Sequence, residues 1–163
     1  MTAHDALKIT MQMGHGVCMG YLADLTDADL MRRAAPNINH INWQVGHLIL
    51  SDYSHISDIL PDALPPLPKD FARIYSRDTV GSDDPKAFLD KATLMKTLEE
   101  QRAGILKAFD SVSDSDLDRP TPEKYQQYAK NWAALFELAG SHWLMHCGQW
   151  AVVRRQLGKP ALF

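Results

Sequence analysis

Seven histidines stand among the 163 residues, and the spacing of three of them could hold a metal ion. His142 and His146 are four residues apart in a segment of helical periodicity, so at about 100° per residue both rings leave the same face. That spacing lets two ring nitrogens meet at one cation, the geometric logic of H-x-x-x-H metal sites. The pair shares an arc of about 120° with Leu135, Leu138, Ala139, Gln149, Trp150, Val153 and Leu157, which predicts that both imidazoles point inward with the leucines. Two imidazoles buried without partners would cost roughly a few kcal/mol, so something in the core must satisfy them.

A second strip faces the first. His40, Gln44, His47, Ser51 and His55 fall within about 80°, between Ile41, Val45, Leu48 and Ile59 on one side and Trp43 and Leu50 on the other. A polar strip between two apolar flanks is not a solvated face. His47, in mid-helix, is the member placed to reach His142 and His146. Three neutral nitrogens on two helices would then form a mount with positions left for water or substrate. The other reading of His47 is a core histidine bonded to a backbone carbonyl or to Gln44. His40 and His55, near the helix ends, are expected to be partly exposed, and His4 to lie in a fraying terminus. His15 shares a stripe with Met11 and Cys18 and competes as a fourth ligand. Gln44 and Gln149 lie on the two inward strips and could orient a ligand or a bound water. Tyr53 and Tyr75 are candidate donors near the mouth. No carboxylate falls clearly on either strip, so no general base and no catalytic residue is assigned. Cys147 lies about 100° round from His146, which argues against a shared cation, and Cys18 reads as a small core residue.

Four long helices are needed to carry these strips. The first is expected over Asp5 to Asp24, with Leu7, Met11, Cys18, Leu22 and Leu25 on one stripe. Gly14, Gly16 and Gly20 weaken its regularity. Thr26 and Asp29 form a capping-box pattern ahead of a short helix over Asp27 to Arg33, closed by Pro36. The second long helix starts at an N-cap of Asn37 or Asn39 and ends before Pro61. Pro61, Pro65, Pro66 and Pro68 then forbid regular helix, and Phe71, Ile74 and Tyr75 are expected to pin this long connection to the body of the protein. The third helix is expected to open near Asp84-Pro85 and to bury Leu94, Leu98, Gln101, Ile105, Phe109 and Val112. The fourth runs from about Asn131 to Leu157 and stops at Gly158. With no convincing strand or repeat, the economical reading is an all-α fold: a four-helix bundle with a long Pro-rich crossover between helices two and three.

Composition bounds the partners. One domain over 1–163 suits the length. Hydrophobic residues make up 45% and charged residues 23%, which is ordinary for a globular chain. Seventeen basic against twenty acidic residues give a net charge of −3, and no Lys/Arg run stands out, so nucleic acid is not an expected partner. Two cysteines outside any C-x-x-C pair make no disulfide framework. The N-terminus carries no apolar leader, and Glu137, Ser141 and His142 interrupt the most apolar segment, so a cytoplasmic protein outside the membrane is expected. Gly140, Ser141, Leu144, Gly148 and Ala151 mark an outward face of the fourth helix with few charges; this is the basis for expecting a homodimer.

Taken together, Asn39-His40-Ile41-Asn42-Trp43-Gln44-Val45-Gly46-His47-Leu48, the Pro-rich connection, and the stretch from His142 through His146 and Gln149 to Pro160 resemble the DinB-like superfamily, which includes mycothiol- and bacillithiol-dependent enzymes. The resemblance spans nearly the whole chain. It implies a four-helix bundle and a divalent metal on His47, His142 and His146, and it implies no DNA binding. Some thiol-dependent relatives carry a glutamate where this chain has His142, so the chain is similar to the all-histidine members, and no particular thiol follows.

Such a site could lower the pKa of a bound thiol or water, or polarise a carbonyl. The expected function is therefore a metal-dependent transferase using a low-molecular-weight thiol and a small-molecule substrate. A metal-dependent hydrolase is the alternative, and a non-catalytic metal- or ligand-binding bundle is the alternative from another class. All-nitrogen ligation suits zinc, nickel, copper or iron without choosing among them.

Overall fold

A computed structural model describes residues 1–162. Four long helices dominate it: α1 (Ala3–Leu22), α3 (Ile41–Ile59), α5 (Lys91–Asp110) and α7 (Trp132–Gln156). One-turn helices α2 (Asp27–Leu30), α4 (Phe71–Ile74) and α6 (Asp114–Leu117) punctuate the connections. Among the described residues no strand forms, and one isolated bridge pairs Pro120 with Asn131.

Local chemistry starts each helix. Thr2 with Asp5, Thr26 with Asp29 and Ser113 with Asp116 close reciprocal capping boxes at α1, α2 and α6. Asp90 caps α5 through the Thr93 N–H and Asn131 caps α7 through the Ala134 N–H. Two expected starts are corrected. The cap of α3 is His40, whose Nδ1 accepts from the Trp43 N–H, and neither Asn37 nor Asn39. Asn37 instead turns the chain at a positive φ of 65°. Asp84-Pro85 opens only a 3-10 turn, Pro85–Ala87, and the long helix begins after Asp90.

The glycines of α1 leave it unbroken and set its closest approach. A Cβ on Gly14 would lie 2.6 Å from the Gly140 carbonyl oxygen, and one on Gly140 would lie 2.7 Å from that of Thr10. Side chains are excluded at that crossing, so α1 lies against α7 backbone to backbone. Gly140, expected on an outward face, is therefore buried inside the chain's own helix pair. On its other side α7 packs against α3, and α3 against α5. The expected α5 stripe, Leu94, Leu98, Gln101, Ile105, Phe109 and Val112, is wholly buried.

Residues 60–90 cross the outside of α3 and clamp its first half. Phe71 and Tyr75 are buried, and Ile74 packs beside them. The Tyr75 ring fills the space over Gly46, where a Cβ would come within 2.1 Å of it, while the Tyr75 hydroxyl donates to Asn42 Oδ1 at 3.0 Å. Asn42 Nδ2 in turn donates to the Leu89 carbonyl at 2.8 Å. The Trp43 indole N–H reaches the Ser76 carbonyl and Thr79 Oγ1. Every turn of α3 ahead of His47 is thereby held.

Candidate metal centre

The buried residues of α7 are Trp132, Leu135, Phe136, Ala139, Gly140, Trp143, Cys147, Trp150, Val153 and Arg154. His142, His146 and Gln149 border them and are only partly buried. They therefore lie along the α3–α7 seam, which corrects the expectation that they point to the centre. The reason is volume: three indoles, Trp132, Trp143 and Trp150, take the inward positions.

Across the seam, His47 meets both. Its ring centroid lies 5.5 Å from that of His142 and 6.0 Å from that of His146, with 5.1 Å between the latter two. One ring nitrogen from each of the three lies within 4.8 Å of the others, and these three residues could hold a metal ion. Nitrogens on a tetrahedral zinc are about 3.4 Å apart for Zn–N bonds of about 2.0–2.1 Å, so the rings need only modest rotation to converge. The Trp43 ring stacks on His47 at 5.0 Å and 9° and holds it in the seam.

The protonation states suit ligation. Burial first, and then neighbouring imidazoles, push His142 down to about 4. Burial and His47 do the same to His146. His47 is also lowered, by burial and then by the Arg77 guanidinium. All three are neutral at pH 7 and carry a bare lone pair. For His146 the tautomer can be assigned. Gln44 Oε1 accepts from the Trp150 indole N–H at 2.8 Å, and indole nitrogen can only donate, so the amide oxygen must face that way. The same oxygen lies 2.9 Å from His146 Nδ1, which must then carry the proton and leave Nε2 free. Gln44 Nε2 completes the network by donating to the Asn39 carbonyl and to Gln149 Oε1 at 2.9 Å. Gln44 thus holds His146 and Gln149 together.

The remaining candidates are placed elsewhere. His15 faces Glu99 at 3.5 Å on the far side of the helices, away from the three histidines. His4, expected to fray, stacks on Phe109 at 4.0 Å and bonds its carbonyl at 3.0 Å. His40 and His55, expected to be partly exposed, are both buried. His40 is fully enclosed because it folds back as the α3 cap. His55 is covered by Tyr125 and Tyr128 from the segment before α7. Tyr53 packs among apolar side chains and Tyr75 lies under Gly46, so neither stands at the mouth. Tyr128 does stand beside His142, and no periodicity in its irregular segment could have signalled it. Cys18 and Cys147 are buried with sulfurs 3.0 Å apart between α1 and α7, clear of the histidines' seam.

Asp52 is a carboxylate that does point inward, off both of the strips that carry the histidines. It lies on the apolar stripe Leu48, Ile49, Asp52, Ile56, Ile59, a pattern already visible in the sequence, and it is wholly buried. The Trp143 indole N–H donates to its Oδ2 at 2.7 Å, and burial raises its pKa to about 7. It belongs to the interior with Arg102 and Gln101, behind the histidine seam.

A family model described as the DinB superfamily matches residues 17–150. Among solved structures, the crystal structure of a conserved protein from Enterococcus faecalis is similar over 98% of this chain and 99% of that one, at 19% identity and a TM-score of 0.70. That likeness is one of fold. A comparison with curated proteins found no match.

Proposed function

This chain belongs to the DinB superfamily, and from that premise we propose that it is a divalent-metal-dependent enzyme transferring a low-molecular-weight thiol, with His47, His142 and His146 as the metal ligands. The proposal includes the reading of α1, α3, α5 and α7 as one four-helix-bundle domain with residues 60–90 as its crossover. The observation that carries it is the convergence of three neutral imidazoles, with Gln44 holding the His146 proton on Nδ1 so that Nε2 is free.

When bound, a divalent cation on three nitrogens would lower the pKa of a thiol or water at its open positions. The chain's own residues then do the remaining work. Gln44 orients His146 and Gln149, and Trp43 holds the His47 plane. Arg77, whose charge is felt at His47, favours an anionic species arriving at the site. The transfer itself would make a carbon–sulfur bond at an electrophilic carbon, with the thiol proton passing to the displaced group or to solvent. A closed structural site would need a fourth protein ligand, and His15, the candidate for it, turns to Glu99. A homodimer through what remains of the outer face of α7, Ser141, Leu144, Gly148 and Ala151, belongs to the same reading.

Elemental analysis of protein purified without a metal-chelating tag tests the premise. About one zinc, nickel or iron per chain, lost in His142→Ala, is the expected result. Loaded protein is then assayed with thiols against alkylating and ester substrates. Consumption of thiol supports the transferase, ester cleavage without thiol supports a hydrolase, and bound metal with neither leaves a binding module. No metal in the wild type, and no thermal shift on adding any, refutes the site.

A further inference from the structure

Beside the three histidines lies a cleft of about 230 Å³ lined by Ser51, His55, Tyr128, Leu138, His142 and Met145. His142 is common to both, so whatever occupies the cleft lies next to the proposed metal. We propose that this cleft seats the organic substrate, an uncharged and largely apolar small molecule carrying a carbonyl-type oxygen, and that Tyr128 is its hydrogen-bond donor. This deepens the function proposed above and rests on it for the identity of the second reactant.

The polar end of the cleft is built rather than incidental. His55 is 7% exposed, and its Nε2 lies 3.1 Å from the Tyr128 hydroxyl. Its Nδ1 is buried and has no partner among the described residues. A buried N–H without an acceptor is rarer and costlier than a bare acceptor, so the ring carries its proton on Nε2 and donates it to the Tyr128 oxygen. The phenolic proton is then directed away from His55. Tyr128 is 57% exposed, so that proton is open to a ligand. His55 is a positioning residue: the Tyr125 ring meets it edge-on at 4.9 Å, and the Tyr125 hydroxyl is anchored on the Asp58 carboxylate.

The chemistry of the walls selects the ligand. Leu138 and Met145 offer apolar surface, while Ser51 and Tyr128 offer hydroxyls. No Asp, Glu, Lys or Arg lines the cleft. His55 is neutral at pH 7, since burial holds it down to about 4. Lys124, whose charge is felt at His55, is paired with Asp58 at 2.6 Å. The lining side chains offer a charged ligand no ionic partner, whereas a neutral one buries apolar area and keeps one hydrogen bond. The volume is below that of drug-sized pockets, which fits a small molecule.

The test uses 4-fluoroacetophenone as the probe, its ¹⁹F signal titrated with the full chain. Wild-type protein should broaden and shift the signal saturably. Tyr128→Phe should weaken binding about 3–10-fold, the range of one lost hydrogen bond. Met145→Trp, at an exposed position, should fill the cleft and abolish saturation while circular dichroism stays native. To the chelator-treated protein, where no cation can capture a carboxylate, 4-fluorobenzoate, the charged analogue, should bind more weakly than the ketone. The proposal is overturned if the wild type shows no saturable effect, if Met145→Trp binds as the wild type does, or if the carboxylate binds the chelator-treated protein better. Metal content, measured on the same samples, should be unchanged by either substitution. Probe binding without metal would refute the metal reading and leave the cleft standing. Metal without probe binding would do the reverse.

Discussion

Replacing Gln44 with leucine keeps the side-chain volume nearly constant and removes four polar contacts at once. Its Oε1 accepts from His146 Nδ1 and Trp150 Nε1, and its Nε2 donates to Gln149 and the Asn39 carbonyl. The Trp150 indole is fully enclosed, so its N–H is left orphaned at a cost of about 1–3 kcal/mol. His146 and Gln149 are only partly buried and can turn to water. A loss of about 2 kcal/mol corresponds to a fall in melting temperature of roughly 4–8 °C for a chain of this length. Metal affinity should fall further than stability alone explains. Without Gln44, Nδ1 and Nε2 of His146 exchange the proton freely, and losses of such second-layer partners cost about 10–100-fold in affinity. Thermal melts in chelator report the stability, and calorimetric titration with zinc reports the affinity. Trp150→Phe separates the two, because it removes the buried donor and leaves the Gln44–His146 bond intact. Its melting temperature should fall while its zinc affinity holds. Wild-type zinc affinity in Gln44→Leu, or an equal loss of affinity in Trp150→Phe, would refute the reasoning.

Further outcomes follow from the same contacts. His47→Ala should abolish stoichiometric zinc or nickel binding in a titration, and wild-type affinity would dismiss the three-histidine site. Stability of the metal-free protein should fall as the pH drops. His40, His55, His142 and His146 are each held to about 4 by burial first, so between about 6.5 and 4 the unfolded chain binds more protons than the native one. Asp52, raised to about 7, works the other way across that window because the native state takes its proton first. Four histidines outweigh it. Melting temperatures in chelator should decline from pH 7 to 5, more steeply in Asp52→Asn, and a flat or rising series would count against these assignments. Gly140→Val would place a Cβ 2.7 Å from the Thr10 carbonyl oxygen, a backbone atom that cannot turn aside. It should cost at least about 2 kcal/mol in denaturant unfolding. Gly148→Ala, with open space around the new methyl, should instead stabilise α7 by about 0.5–1 kcal/mol. Light scattering at micromolar concentration checks the dimer, and a monomer mass would remove it.

Much of the site was legible because it depends on short sequence separations. Helical spacing alone puts His142 with His146, and Gln44 with His47, each on one face. The caps at Thr26 and Asn131 and the breaks at the prolines are likewise local, so the helix order could be read with errors of a few residues at the ends. His40 was misread for a local reason too: an imidazole can cap a helix as a carboxamide does, and Nδ1 took the place expected of Asn39.

What the sequence by itself determined is the set of helical faces, the three imidazoles and the glutamines that accompany them. Only the tertiary structure decided how deep each face lies and which faces meet. Three tryptophans on α7 claimed the interior and displaced the histidines to the seam with α3. The glycine contact between α1 and α7 covered a face that looks open on a helical wheel. Tyr125 and Tyr128, some seventy residues beyond His55 and in no periodic segment, buried it and shaped the cleft. Periodicity reports direction around one helix axis, whereas burial depends on the summed volume of every element packed against it. The proton on His146 shows the same division. Its ring is placed by spacing, but its tautomer is chosen through Gln44, whose amide is turned by a carbonyl that can only accept, that of Asn39, as well as by an indole that can only donate.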